Sequence, residues 1–408
     1  MSNPPSAPPA ARVTRHGARF VFIFLVIEFL DEFVFGAREA AWPLMRGDLG
    51  LTYAQVGLLL GIPSIIGNLI EPFLAILGDI WKRRILVLGG GAVFAVALLL
   101  TALSRDFGLL LVSFILFYPA SGAFVSLSQA TLMDLRPSRR EQNMARWTFA
   151  GSVGVVGGPL VLGAAVSLGF DWRGLFAAFA VLAVVVLLFA RRVPFEEDAK
   201  RAEGQGALDL KLFAHGLTQA LHALRRGEVW RWLILLEAAD LALDVFLGFL
   251  ALYMVDVAGA SEGQAAVAVA VWTGVGLVGD LLLIPVLERV RGIRYLRMSA
   301  LVVLVLFPAF LLAPAFGGKL ILLGALGFFN AGWYAILQAG LYSTMPGQSG
   351  TALAVKNVSG LVAGFIPLAL GLIAQRLGLQ IAMWLLLLGP VALLVGLPRR
   401  DPPRPQTP

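Results

Sequence analysis

Twelve stretches of this chain are apolar enough, and near enough to the roughly 20 residues a helix needs, to cross the hydrocarbon core of a bilayer. They run at about 20–45, 53–78, 85–103, 108–133, 147–168, 174–190, 230–255, 263–287, 296–315, 320–343, 351–376 and 380–397. With 59% apolar and only 14% charged residues, the chain is far from an ordinary soluble domain. The spacing predicts an all-α membrane protein of twelve transmembrane helices, with residues 191–229 dividing them into two bundles of six, 19–190 and 230–398. Residues 1–18, which carry Pro4, Pro5, Pro8 and Pro9, and residues 399–408 read as polar cytoplasmic tails.

Charge placement orients the chain. If the N-terminus, the loops after even-numbered helices and the C-terminus share one side, that side holds 26 of the 32 Lys and Arg residues, Lys356 counted among them. The six left over are Arg38, Arg46, Arg105, Arg173, Lys319 and Arg376. The positive-inside rule then puts both termini in the cytoplasm of a multi-pass protein, expected in a bacterial inner membrane. The net charge of +7 follows from this topology and from contact with anionic lipid. No basic stripe is interleaved with exposed aromatics, so nucleic-acid binding is not expected. The chain has no cysteine, which excludes disulfides and thiolate metal sites. His16, His215 and His222 fall outside the apolar stretches, so no intramembrane metal site and no cofactor is expected. The apolar run from Phe20 already carries Glu28, Asp31 and Glu32, and no small-residue cleavage pattern follows it, against a cleaved signal peptide. Between helices 6 and 7, Leu210, Phe213, Leu217, Leu221 and Leu224 recur at helical spacing and predict an amphipathic surface helix.

The two halves repeat. Glu28 and Glu237, Asp31 and Asp240, Glu71 and Asp280, and Asp79 and Glu288 are all separated by 209 positions, where chance predicts fewer than one such coincidence. The same offset pairs Gly67 with Gly276, Gln129 with Gln338, Pro137 with Pro346 and Gly151 with Gly360. Six of the eight acids lie within apolar stretches, where an ionisable group costs roughly 2.5–3.5 kcal/mol and marks a candidate functional site. Duplicated halves with charges near the midplane point to a transporter.

The junction after helix 2 reads Gly78-Asp79-Ile80-Trp81-Lys82-Arg83-Arg84 and resembles the signature loop of the major facilitator superfamily, with Ala75 and Lys82 where that family usually has Gly. Glu288-Arg289-Val290-Arg291-Gly292 looks like a degraded copy in the second half. The resemblance spans nearly the whole chain and implies a monomer with two pseudo-symmetric six-helix bundles working by alternating access. It gives Asp79, with Arg83 and Glu288, a latching role, and Glu71 and Asp280 are gate candidates beside it. Helix 5 carries Gly154, Gly157, Gly158, Pro159 and Gly163, similar to the Gly-Pro signature of antiporting exporters; plain helix packing explains it equally well. The Glu28–Asp31 segment, Trp42-Pro43, Glu71-Pro72 and Phe117-Tyr118-Pro119 resemble the fosmidomycin-resistance branch, although Tyr118 stands where that branch usually has His and Glu71 where it often has Gln. Helix 4 lacks the Arg that many proton-coupled antiporters place there, so their proton relay does not carry over directly.

At 100° per residue, Glu28, Asp31, Glu32, Arg38, Glu39 and Trp42 fall on about a third of helix 1, and Glu237, Asp240 and Asp244 repeat the stripe on helix 7. Such stripes must line a cavity or pack against other helices, which sets helices 1 and 7 across the cavity from one another. Asp31 and Asp240 are expected to be the central pair, titrating during transport or pairing with a cationic substrate. Arg38 is expected to pair with an acid on a neighbouring helix. Asn330, Trp333 and Tyr334 of helix 10 are candidates for hydrogen bonding and stacking with a ligand. The expected function is proton-coupled export of a small, drug-like or cationic solute. Metabolite import, divalent-cation export and ligand sensing are the alternatives; no enzyme motif is present.

Overall fold

The computed structural model describes residues 10–80, 82–135, 140–193, 222–345 and 349–398. Among them the chain forms twelve spanning helical units. The first half comprises α1 (Ala10–Leu49), α2 (Tyr53–Ile80), α3 (Arg83–Leu103), α4 (Phe107–Ser121 continuing as Leu127–Leu135), α5 (Arg140–Ser167) and α6 (Trp172–Ala190). The second comprises α7 (Gly227–Leu241 and Asp244–Asp256), α8 (Glu262–Arg289), α9 (Gly292–Leu312), α10 (Phe316–Asn330 and Trp333–Ser343), α11 (Ser349–Ala363 and Phe365–Leu377) and α12 (Leu379–Leu385 and Leu388–Gly396). Ten of these units are long and apolar enough by themselves to cross a membrane. The other two are α1 and α7, which carry the acidic stripes. α1 starts at Ala10, inside the segment read as a tail, because no proline follows Pro9 until Pro43. The amphipathic segment around 210–221 and the tail 399–408 lie outside the described residues.

Side chains divide by what surrounds them. On α3, α6, α9 and α12, Val96 and Leu99, Val181 and Val185, Leu301 and Val305, and Val391 and Val395 are exposed on outward faces, as lipid contact requires. The interior is closed instead by small residues that let backbones touch. A β-carbon at Gly154 would stand 2.5 Å from the carbonyl oxygen of Phe29, and one at Gly158 would stand 2.2 Å from that of Phe33, so α5 lies directly on α1. The glycine series of helix 5 is therefore a packing surface against α1, and Gly163 extends it to Ala266 of α8. The duplicated glycines Gly67 and Gly276 occupy matching interfaces, the first against Tyr118 of α4 and the second against Gly327 of α10.

Several helices expected to be continuous are interrupted. α4 contains a π-helical turn, Gly122–Ser126. α7 breaks at Ala242 and Leu243, and α10 at Ala331 and Gly332, where Gly332 adopts φ +71°, a left-handed conformation that glycine takes without cost. α11 and α12 are also segmented, after Ala363 and after Leu385. Apolar periodicity continues through each interruption, which is why hydropathy alone does not reveal them. Gly158→Leu is expected to cost about 1–3 kcal/mol by overpacking, read as a lower melting temperature of the purified protein in detergent. Gly47→Ala, where a β-carbon meets nothing within 4 Å, is expected to leave that temperature unchanged or slightly higher.

Candidate functional site

A cavity of about 530 Å³ lies between the two halves. Phe35 and Glu39 of α1, Leu60, Ser64 and Asn68 of α2, and Tyr118 of α4 form one wall. Glu237, Asp240 and Asp244 of α7, Tyr334 of α10 and Lys356 of α11 stand on the other. Helices 1 and 7 thus face each other across it, as their stripes require.

The acids of the two stripes are used differently. On α1 the cavity-lining acid is Glu39, and it is already matched. Arg38 donates from Nε and Nη2 to Glu39 Oε1 at 3.0 and 2.7 Å, and Trp42 Nε1 donates to Oε2 at 3.0 Å. Arg38 therefore pairs with the acid next to it in sequence rather than with one on another helix. Its guanidinium is buried within an aromatic cage, 4.9 Å from the ring centroid of Phe35, 5.3 Å from Tyr118, 5.6 Å from Phe114 and 5.9 Å from Phe117. Glu28 and Asp31 point to neighbouring helices instead. Ser121 Oγ of α4 donates to Asp31 Oδ1 at 2.8 Å, and a β-carbon at Gly151 of α5 would lie 2.6 Å from Glu28 Oε1.

On α7 all three acids line the cavity. Ser359 Oγ of α11 donates to Glu237 Oε1 at 2.6 Å. Lys356 is a cation of the cavity rather than of a cytoplasmic loop, and its Nζ lies 4.8 Å from the ring centroid of Tyr334. The α7 wall therefore sets three carboxylates against one ammonium group.

Other candidates serve the framework. Trp333 is fully buried and its Nε1 donates to Ser299 Oγ at 2.8 Å, away from the cavity that the adjacent Tyr334 lines. Asn330 Nδ2 donates to the carbonyl of Ala242, exposed by the break in α7, at 3.0 Å. Asp280 Oδ1 accepts the Gly332 N–H in the break of α10 at 2.8 Å. Glu71 is exposed on α2 and approaches Gly122, where a β-carbon would sit 3.0 Å from its Cγ. Arg83 is buried and its Nε donates to Gly78 O at 3.1 Å, closing the end of α2. The Asp79 side chain lies outside the described residues, and Glu288 is exposed at the end of α8.

One contact set joins the halves at the end opposite the signature-like loop. Asp256 Oδ2, at the end of α7, accepts from Arg46 Nη1 at 3.0 Å and from the Tyr53 hydroxyl at 2.8 Å. The Tyr53 amide donates to Gln375 Oε1 of α11 at 3.0 Å, and Arg46 stacks 4.3 Å from the Tyr53 ring centroid. Here α2 and α11 touch backbone to backbone, since a β-carbon at Gly61 would lie 2.2 Å from Gly364 O and one at Gly371 would lie 2.4 Å from Tyr53 O. The sequence signal for this latch was a cation left over from the positive-inside pattern. The ion pair is part-exposed, so about 1 kcal/mol or less is at stake. Asp256→Asn is expected to move the closed–open balance of this end toward open by up to about fivefold, measured as a longer spin-label distance between α1 and α7 tips in the purified protein.

Residues 21–366 match the family model described as Major Facilitator Superfamily. Among solved structures, the chain is similar to a bacterial homolog of the human lysosomal transporter Spinster, in an inward-facing and unoccupied conformation. That match has a TM-score of 0.72 at 15% identity and covers 96% of each chain. It is also similar to the nucleoside transporter NupG, with a TM-score of 0.73 at 14% identity, over 92% of this chain and 97% of that one.

Proposed function

Because this chain belongs to the major facilitator superfamily of membrane transporters, we propose that it exports a small, amphipathic, cationic solute in exchange for protons, as a monomer in a bacterial inner membrane with both termini in the cytoplasm. The observation that carries this reading is the charge layout of the cavity. Glu39 is matched by Arg38 and Trp42, whereas Glu237, Asp240 and Asp244 face the cavity with Lys356 as the cation among its lining residues. A carboxylate in a cavity of low dielectric is stable when it holds a proton or pairs with a cation. A cationic substrate and protons competing for the same acids is the simplest coupling such a wall provides. The opposite wall, with Phe35, Leu60 and Tyr118, suits the apolar body of the same solute.

Alternating access then needs one closed end and one that opens. The Arg46–Asp256–Tyr53 latch supports a closed outer end, with the cavity reached from the side that collects the basic loops. The helix-1 to helix-4 segments that resemble fosmidomycin-resistance exporters favour the outward direction.

A second reading has its own support. Ser64, Asn68 and the Tyr334 ring line the same cavity and suit a neutral, ring-bearing metabolite taken up rather than expelled. An efflux-deficient bacterium expressing the chain, challenged with a panel of toxic amphipathic cations, separates the two. Under the export reading it gains resistance that Asp240→Asn abolishes at equal membrane expression. No protection across the panel, or full protection in Asp240→Asn, overturns that reading and turns the search to nutrients. In proteoliposomes the same substrate is expected to drive proton movement in the opposite direction, and that coupled movement is expected to be lost in Asp240→Asn.

A further inference from the structure

The offset of 209 that aligns the halves places the π-helical turn of α4, Gly122–Ser126, on residues 331–335, where α10 is broken. Both halves are therefore irregular at one equivalent point, and the duplicated acids Glu71 and Asp280 stand beside it in each. Their contacts differ. Glu71 lies against Gly122 without entering the backbone ladder among the described contacts. Asp280 enters it, since its Oδ1 accepts the Gly332 N–H at 2.8 Å.

Breaking a helix inside a membrane leaves backbone groups that must find partners within the protein. At the α10 break three polar side chains supply them or use them. Asp280 of α8 takes the N–H of Gly332, the Tyr295 hydroxyl of α9 donates to Ala331 O at 3.1 Å, and Asn330 reaches across to Ala242 O in the break of α7. Gly332 itself sits at φ +71°, and a β-carbon there would meet Leu283 Cδ2 at 2.0 Å, so α8 is pressed against the break. The segment that follows, Trp333–Ser343, leaves the break with a fixed rotation: Trp333 and Leu337 point inward and are fully buried, while Tyr334 faces the cavity beneath Lys356.

We infer that Asp280 is a positioning residue that, by holding the Gly332 amide in the α10 break, sets the rotation of the Trp333–Ser343 segment and so presents Tyr334 to the cavity. Asp280 does not touch the transported solute in this role; it acts through Gly332. Its symmetry mate has no such duty, which makes the pair a duplicated acid whose two copies have separated in function. The inference does not depend on which solute is carried or in which direction.

The absence of cysteine makes a direct test possible in the otherwise unaltered chain. Single cysteines are placed at Tyr334→Cys and at Leu337→Cys, and the rate of reaction with a charged, water-soluble methanethiosulfonate is measured for each in purified protein. With Asp280 native, position 334 is expected to react much faster than 337. Asp280→Asn, whose amide oxygen still accepts the Gly332 N–H, is expected to keep the ratio. Asp280→Ala is expected to lower it by up to about tenfold, the upper end for removing one ordinary hydrogen bond. An unchanged ratio in Asp280→Ala overturns the inference, as does an equal loss in Asn and Ala, which would make charge rather than the bond responsible. If Asp280→Ala does not fold, amide hydrogen exchange decides in the native protein and Asp280→Asn. A protected Gly332 amide in both supports the inference, and exchange as fast as in an unbonded loop in either overturns it.

Discussion

Acidic side chains on two helices that must cross a membrane are the constraint from which the rest of the arrangement follows. α1 and α7 carry their carboxylates on one face, and that face is excluded from lipid by a cost of several kcal/mol for the set. Both helices are therefore drawn to the cavity, and the remaining ten are apolar enough by themselves to cross a membrane. Such a position also requires contact on several sides. α1 meets it with α5 through Gly154 and Gly158, where the backbones approach too closely for any side chain. An acidic stripe and a glycine series, on different helices, are two parts of one packing solution.

The duplication fixes places more firmly than it fixes roles. Glu28 lies against α5 and Glu237 against α11, which are equivalent interfaces, yet the first meets Gly151 and the second a serine hydroxyl at the cavity. Asp31 takes a hydrogen bond from Ser121, while the residue 209 positions after that serine, Asn330, turns to a backbone carbonyl of α7. The first half keeps its cavity charge matched by the Arg38–Glu39 pair, and the second leaves an acidic wall. Asymmetry of this kind gives one end of a solute a different environment from the other, which a strictly repeated cavity would not.

The membrane class, the order of the helices and the central position of α1 and α7 were legible because hydropathy and charge report directly on solvent, and lipid is an unforgiving one. The glycine run of helix 5 was legible as packing, though not its partner. The helix breaks were not legible: Ala242-Leu243 has no sequence mark, and Gly332 is one of 45 glycines. Lys356 was misplaced because a single cation near a helix end satisfies the positive-inside pattern whether it lies in the loop or a turn inside it. The Arg46–Asp256–Tyr53 latch joins residues more than 200 positions apart in the chain, and only the folded arrangement brings them together.

The polar groups inside the membrane can be sorted by asking what each would leave unpaired if removed. Asn330, Asp280 and Tyr295 answer to the backbone at a helix break, and Lys319 answers to the last carbonyls of α9, Phe310 O at 2.8 Å and Leu311 O at 3.2 Å. Arg173 does the same at the end of α3, donating to Ser104 O while it pairs with Asp48. These side chains satisfy backbone groups left open at helix breaks and helix ends, in a medium that offers no water. Glu237, Asp240, Asp244 and Lys356 line the cavity, and there Asp240 also bonds the backbone at Asp244, just past the break in α7. The proposed exchange of a cationic solute for protons therefore rests on the α7 wall of the cavity rather than on the full set of intramembrane acids.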